Sequence, residues 1–96
     1  MPLINLRLAR PHVIIDINRL RNLEATSTAP AGGLTIGALA RQRTLERSTI
    51  IQERNPMLAA AMPLIGHFQI RNRGTIGGSL VHADPAAELP AVSLLL

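Results

Sequence analysis

The chain has no cysteine. That excludes disulfides, a thiolate nucleophile and cysteine ligation of a metal cluster by these residues. Lysine, tryptophan and tyrosine are also missing, and Phe68 is the single aromatic residue. Aromatic side chains usually anchor a small core, so alanine, leucine and isoleucine must fill this one. No run approaches the roughly 20 apolar residues of a membrane span. The opening Met1–Arg7 lacks the basic-then-apolar order of a secretion signal, so a cytoplasmic setting is expected. With 96 residues the chain makes at most one domain. Its 47% hydrophobic content argues against disorder.

All ten basic residues are arginines, and against six acids they leave a net charge of +4. They are spread along the chain. A nucleic-acid binder would cluster them on one helix or arm, and a single-strand binder would add aromatics for stacking. The plain reading is a solvated surface with contacts to partner subunits.

Local signals divide the chain. His12–Ile17 is a β-branched run and reads as a buried strand. Asn18–Leu23 reads as a short helical turn, with Asp16 or Asn18 as its cap. Ala25–Thr28 and Leu34–Ala38 flank Pro30-Ala31-Gly32-Gly33, the pattern of a hairpin. Thr44 is placed to cap a helical segment through Arg54, with Glu46 in its first turn. Asn55-Pro56 breaks that run and starts the next helix. Leu58, Met62 and Ile65 give that helix one apolar face, and Gly66 is a natural stop. Gln69–Ala83 reads as an extended segment that turns at Gly74 and again at Gly77-Gly78. Asp84 then caps a helix over 86–96, with Pro85 at its first position and Pro90 kinking it or delaying its start. Its apolar face includes Leu89, Val92, Leu95 and Leu96.

The most informative stretch is Thr75-Ile76-Gly77-Gly78-Ser79, followed by His82, Asp84 and Glu88. Paired glycines remove two Cβ atoms, so an anion could rest on the amides of Ile76 to Ser79. Thr75 and Ser79 add hydroxyls. Asp84 or Glu88 would accept from sugar hydroxyls, since a carboxylate beside a phosphate repels it. The loop is neither Gly-x-Gly-x-x-Gly nor a Walker A sequence, and a Gly-Gly turn alone is weak evidence of a ligand. His12, His67 and His82 lack the convergent spacing of a zinc site; His82 is retained because it lies within the motif. Ser79, His82 and Asp84 are too close in sequence to read as a catalytic triad.

Ile65-Gly-His-Phe-Gln-Ile-Arg-Asn-Arg-Gly-Thr-Ile-Gly-Gly-Ser79, followed by Ala83-Asp-Pro-Ala-Ala-Glu-Leu-Pro90, closely resembles the second flavin segment in the FAD subunits of molybdenum hydroxylases. That family includes the carbon monoxide and xanthine dehydrogenases. The resemblance extends to Met1–Pro11, Val13–Leu20, Leu34–Ala38 and Thr44–Arg47, and so spans nearly all of residues 1–96. It implies an α+β fold, part of the FAD domain of the vanillyl-alcohol-oxidase/p-cresol-methylhydroxylase type, a mixed sheet with flanking helices. It implies that Thr75, Ile76, Gly77, Gly78 and Ser79 bind the FAD diphosphate or nearby groups, with Glu88 on a sugar hydroxyl and His82 and Asp84 close by. Ser79 stands where many relatives have Asn, and Glu88 where many have Asp. The family's first glycine-rich loop, expected before Met1, and its C-terminal subdomain are not in this sequence. These 96 residues alone are therefore expected to be truncated at both ends relative to the family domain, and to bind FAD weakly or not at all.

The resemblance also implies partners. A large subunit would carry the molybdenum cofactor and a small one the [2Fe–2S] clusters, with NAD or a quinone as a possible acceptor. No proton-transfer catalyst is apparent in this chain, because redox chemistry at a flavin belongs to the cofactor. Two other readings stand beside it. One is an arginine-rich module that only docks to other subunits. The other is a nucleic-acid binder, against which the scattered arginines and missing aromatics count.

Overall fold

A computed structural model describes residues 2–96, so the first residue of the Met1–Pro11 segment lies outside the described residues. A short helix α1 (Pro2–Asn5) opens the chain. The hairpin follows as β1 (Thr26–Thr28) and β2 (Leu34–Ile36). Six helices complete it: α2 (Gln42–Glu46), α3 (Thr49–Arg54), α4 (Pro56–Ala61), α5 (Phe68–Arg73), α6 (Ile76–His82) and α7 (Glu88–Leu94). The mixture of a small sheet and packed helices is the α+β class expected.

The hairpin forms as its turn residues dictate. Thr26 pairs with Ile36 and Thr28 with Leu34, antiparallel. Gly32 takes φ +86° at the turn, a value that glycine adopts without strain.

Beyond β2 the chain continues as a second row. Ala38 to Gln42 runs antiparallel to Gly74 through Gly77. Gln42 N–H donates to the Gly74 carbonyl at 2.9 Å, Ile76 N–H to Ala40 at 3.1 Å and Gly77 N–H to Ala38 at 2.9 Å. Arg41 and Thr75 face each other within it as an isolated bridge.

Helices of four to seven residues are unstable alone, so packing and caps hold them. Ser48 caps α3 by accepting from Ile51 N–H, and Asn55 caps α4 by accepting from Leu58 N–H at 3.0 Å. Pro56 occupies the first turn of α4, as expected. The core is Ala40, Leu45, Ile51, Leu58, Met62, Ile65, Ile76 and Leu89. Leu58, Met62 and Ile65 bury the apolar face read from their spacing. Each large side chain fully buried contributes roughly 1.5–3 kcal/mol. No aromatic takes part: Phe68 is half exposed.

Several elements differ from expectation. Val13–Ile17 carries no regular structure and is exposed, because no row of amides and carbonyls among the described residues pairs with it. The turn after it is a 3₁₀ segment at Arg21–Leu23, with neither Asp16 nor Asn18 as cap. Asp16 Oδ1 instead accepts from Asn18 N–H and Nδ2 at 2.8 Å each. Thr44 lies inside α2, and Ser48 starts the next helix. Glu46 therefore ends α2 and does not lie in a first turn. Residues 68–73 are helical, not extended, and 74–75 form the only extended link before α6. Gly77-Gly78 falls within the first turn of α6 and makes no turn of its own. Asp84 makes a local turn, accepting from Ala86 N–H at 2.9 Å, and α7 begins later, at Glu88. Pro90 thus sits in its first turn, where a missing N–H costs nothing. Leu89 is fully buried, but Leu95 and Leu96 are exposed.

Candidate functional site

The start of α6 is built by three constraints. Thr75 is extended and caps the helix, its Oγ accepting from Gly78 N–H at 3.0 Å. Ile76 is buried in the core and anchors the first turn. Gly77 passes so close to Ala38 that an added Cβ would lie 2.6 Å from the Ala38 carbonyl oxygen. At Gly78 an added Cβ would meet only the Thr75 hydroxyl, at 2.8 Å. Gly78 is exposed, so bare backbone faces outward there. Neither glycine takes positive φ. Their role is close approach, not turn geometry.

This corrects the donor set. Ile76 and Gly77 amides serve the row with Ala40 and Ala38, Gly78 N–H serves its cap, and Ser79 N–H donates to the Thr75 carbonyl at 3.2 Å. All four amides expected to hold an anion are committed within the chain. What fits a cofactor is different. The Thr75 hydroxyl still has its own hydrogen to donate. The half-buried Ser79 hydroxyl forms no hydrogen bond among the described residues, and Gly78 lets a ligand approach the backbone closely.

The remaining residues of the motif lie further along. His82 is exposed in the last turn of α6. Ala83 follows in the left-handed region, at φ +51°, and redirects the chain. Asp84 is exposed, and Glu88 is half buried in the first turn of α7. α6 and α7 pack together, so all eight motif residues lie on one helix–turn–helix unit.

Arg71 is structural. It is 8% exposed. Its Nη1 donates to the carbonyls of Ile65 and Gly66 at 2.8 Å each. Its Nε donates to Glu46 Oε2 at 3.0 Å. Arg43 Nη1 reaches the same oxygen at 2.8 Å. The Arg43 hydrogen bond, helped by that from Arg71, holds the Glu46 carboxyl below its ordinary value against the opposing effect of partial burial. The pair ties the end of α2 to α5 and so fixes the link that carries Thr75. Sequence reading missed this partnership because the two residues are far apart along the chain and Glu46 looked like a helix-start acid. Near the surface, hydrogen bonds from the Asn18 backbone and side chain lower the Asp16 carboxyl. No group of three or more His, Cys, Asp or Glu among the described residues is placed to hold a metal. No helix among them is long and apolar enough to cross a membrane.

Comparison with known proteins places the chain. Residues 1–96 match the family described as the FAD binding domain in molybdopterin dehydrogenase. The sequence is 50% identical over 96 residues to the 6-hydroxypseudooxynicotine dehydrogenase complex subunit alpha of Paenarthrobacter nicotinovorans, covering 100% of this chain and 32% of that protein. It is 42% identical over 94 residues to the carbon monoxide dehydrogenase medium chain of Hydrogenophaga pseudoflava, covering 98% of this chain and 32% of the relative. Among solved structures, carbon monoxide dehydrogenase from Hydrogenophaga pseudoflava superposes with a TM-score of 0.89 at 44% identity, over 96% of this chain and 32% of that one. Quinoline 2-oxidoreductase from Pseudomonas putida 86 gives 0.88 at 35% identity, over 93% and 31%. The chain belongs to the family of the FAD binding domain in molybdopterin dehydrogenase. It spans about a third of the length of the relatives it matches.

Proposed function

We propose that this chain forms the part of an FAD-binding medium subunit that holds the cofactor at the start of α6. The observation that carries the reading is the exposed, Cβ-free Gly78 between two hydroxyls that have hydrogens to donate, Thr75 and Ser79. Thr75 and Ser79 would hydrogen-bond polar groups of the cofactor. Gly78 would let it rest against the helix backbone. His82 and Asp84 border the same unit, and Glu88 would accept from a sugar hydroxyl. When bound, FAD would supply the redox chemistry of electron transfer between [2Fe–2S] clusters and an acceptor such as NAD or a quinone. The role of this chain is to bind and orient. The large molybdenum subunit and the small iron–sulfur subunit are its proposed partners, in keeping with names such as "medium chain" and "complex subunit alpha" among the relatives. The cytoplasm is the proposed location.

Ser79→Ala tests the hydroxyl contact without touching the fold. Its expected effect is a loss of FAD affinity of roughly fivefold, the value of one hydrogen bond of about 1 kcal/mol, with an unchanged melting temperature. Unaltered affinity would remove Ser79 from the site.

A further inference from the structure

Gln42 is buried where a polar side chain does not serve stability. It opens α2 and is 4% exposed. Its Oε1 is enclosed by the described residues and accepts no hydrogen bond from them. A buried amide oxygen left without a partner costs free energy. An apolar side chain of similar volume would be more stable there. What lies against the amide gives it a task. At Gly74 an added Cβ would lie 2.8 Å from Gln42 Oε1, 3.0 Å from its Cδ and 3.1 Å from the Ile70 carbonyl oxygen. Gly74 has an ordinary φ of −63°, so glycine is needed there for space and not for a turn.

Three contacts grip Gly74. Gln42 N–H donates to its carbonyl at 2.9 Å, and its own N–H donates to the Ile70 carbonyl at 2.7 Å. The Gln42 amide closes the third side. One turn further along α2, Glu46 holds Arg71 on α5, and residues four apart share a helix face. α2 therefore grips α5 at one end and the link after it at the other, and the two helices pack together. Thr75 follows Gly74 directly and caps α6. Whatever shifts Gly74 shifts the Thr75 hydroxyl. The end of a glutamine side chain is planar, and a branched aliphatic one is thicker.

We propose that Gln42 is a positioning residue for the cofactor, an assignment that rests on the flavin reading above. Its flat amide seats Gly74 and so sets the height and direction of the Thr75 hydroxyl. Binding geometry must hold within about 0.5 Å, on side chains that are themselves locked by packing. That requirement accounts for an unpartnered amide in the interior. Stability given up at a buried position for function is a recurrent trade-off.

The test is made on a subunit of the relatives' full length that contains these residues. Gln42→Leu and the unbranched Gln42→Met are compared with the wild type by melting curves and by FAD titration. The titration is read by flavin fluorescence and visible absorbance. Both variants are expected to melt at or above the wild-type temperature, since the unpartnered oxygen is gone. Gln42→Leu is expected to lose FAD affinity about fivefold or more, the loss of one hydrogen bond, with a changed absorption spectrum of the bound flavin. Gln42→Met, whose side chain adapts its shape, is expected to lose less. Melting temperature and FAD affinity falling together in both variants would overturn the assignment and make the amide a packing group. Wild-type affinity and spectrum in Gln42→Leu would overturn it as well. Either result leaves the flavin reading intact. If the wild type takes up no FAD, the flavin reading itself fails, and this assignment with it.

Discussion

At the scale of single residues, two neighbouring glycines have separate tasks. Gly77 is required by the fold, since a Cβ there would collide with Ala38 backbone and side chain at 2.6–2.8 Å. Gly77→Ala is expected to destabilise the protein by about 1–3 kcal/mol through overpacking, measurable as a lower denaturation midpoint. Gly78 is not so constrained. Its substitution disturbs the Thr75 cap, worth about 1 kcal/mol, and gains a similar amount of helix propensity when alanine replaces glycine.

The Glu46–Arg71 pair gives a pH signature. Because the Glu46 carboxyl titrates below its ordinary value in the folded chain, its stabilisation is complete above the unfolded value of about 4.3. It is lost as pH falls through the folded value. Acid denaturation curves should therefore show stability falling below that range, and Glu46→Gln should flatten the fall. Arg71→Ala, which strands Glu46 and two carbonyls, should cost about 3 kcal/mol. A loss below 0.5 kcal/mol, roughly the scatter of a surface change, would contradict a structural role.

At the scale of elements, what was legible in the sequence was what local chemistry decides. Pro30–Gly33 specified the hairpin, Asn55-Pro56 the start of α4, and the Leu58, Met62 and Ile65 spacing its buried face. What stayed hidden depends on pairing across the chain. The motif residues Thr75 to Ser79 could be picked out. Their helical setting could not, because Gly77 and Gly78 normally signal a turn and only the row along Ala38 explains them. Val13–Ile17 shows the same limit from the other side. Its β-branched run is a strand signal, but a strand forms only against a partner, and none lies beside it among the described residues.

The link between α6 and α7 holds strain of its own. Ala83 adopts φ +51°, a conformation costing a non-glycine residue about 1–2 kcal/mol. Ala83→Gly relieves that at the price of a more flexible unfolded chain. A net gain of about 0.5–1 kcal/mol in denaturant unfolding is expected. A net loss would mean that the Ala83 methyl group contributes packing of its own.

At the scale of the whole molecule, the chain is elongated. Its principal extents are 43, 28 and 23 Å, and its radius of gyration is 14.2 Å, against about 13 Å for a compact domain of 100 residues. The excess comes with an N-terminal stretch whose Leu6, Leu8, Val13, Ile14 and Ile15 are all more than half exposed. The ordered core lies in residues 40–89, and the α6–α7 unit closes it through Ile76 and Leu89. The proposed cofactor contacts therefore sit on the best-packed part of the molecule. That is where a binding geometry is held most precisely.

The most direct test of the account is an FAD titration of a subunit of the relatives' full length that contains these residues, and of its Gly78→Val variant, read by flavin fluorescence and visible absorbance. The account predicts stoichiometric uptake by that unaltered subunit, and weak or no uptake by these 96 residues alone. It predicts a loss of at least tenfold in the variant, with the folded structure retained by circular dichroism. Equal FAD affinity in the two proteins would contradict it, and would make the start of α6 a packing element with no part in holding the flavin.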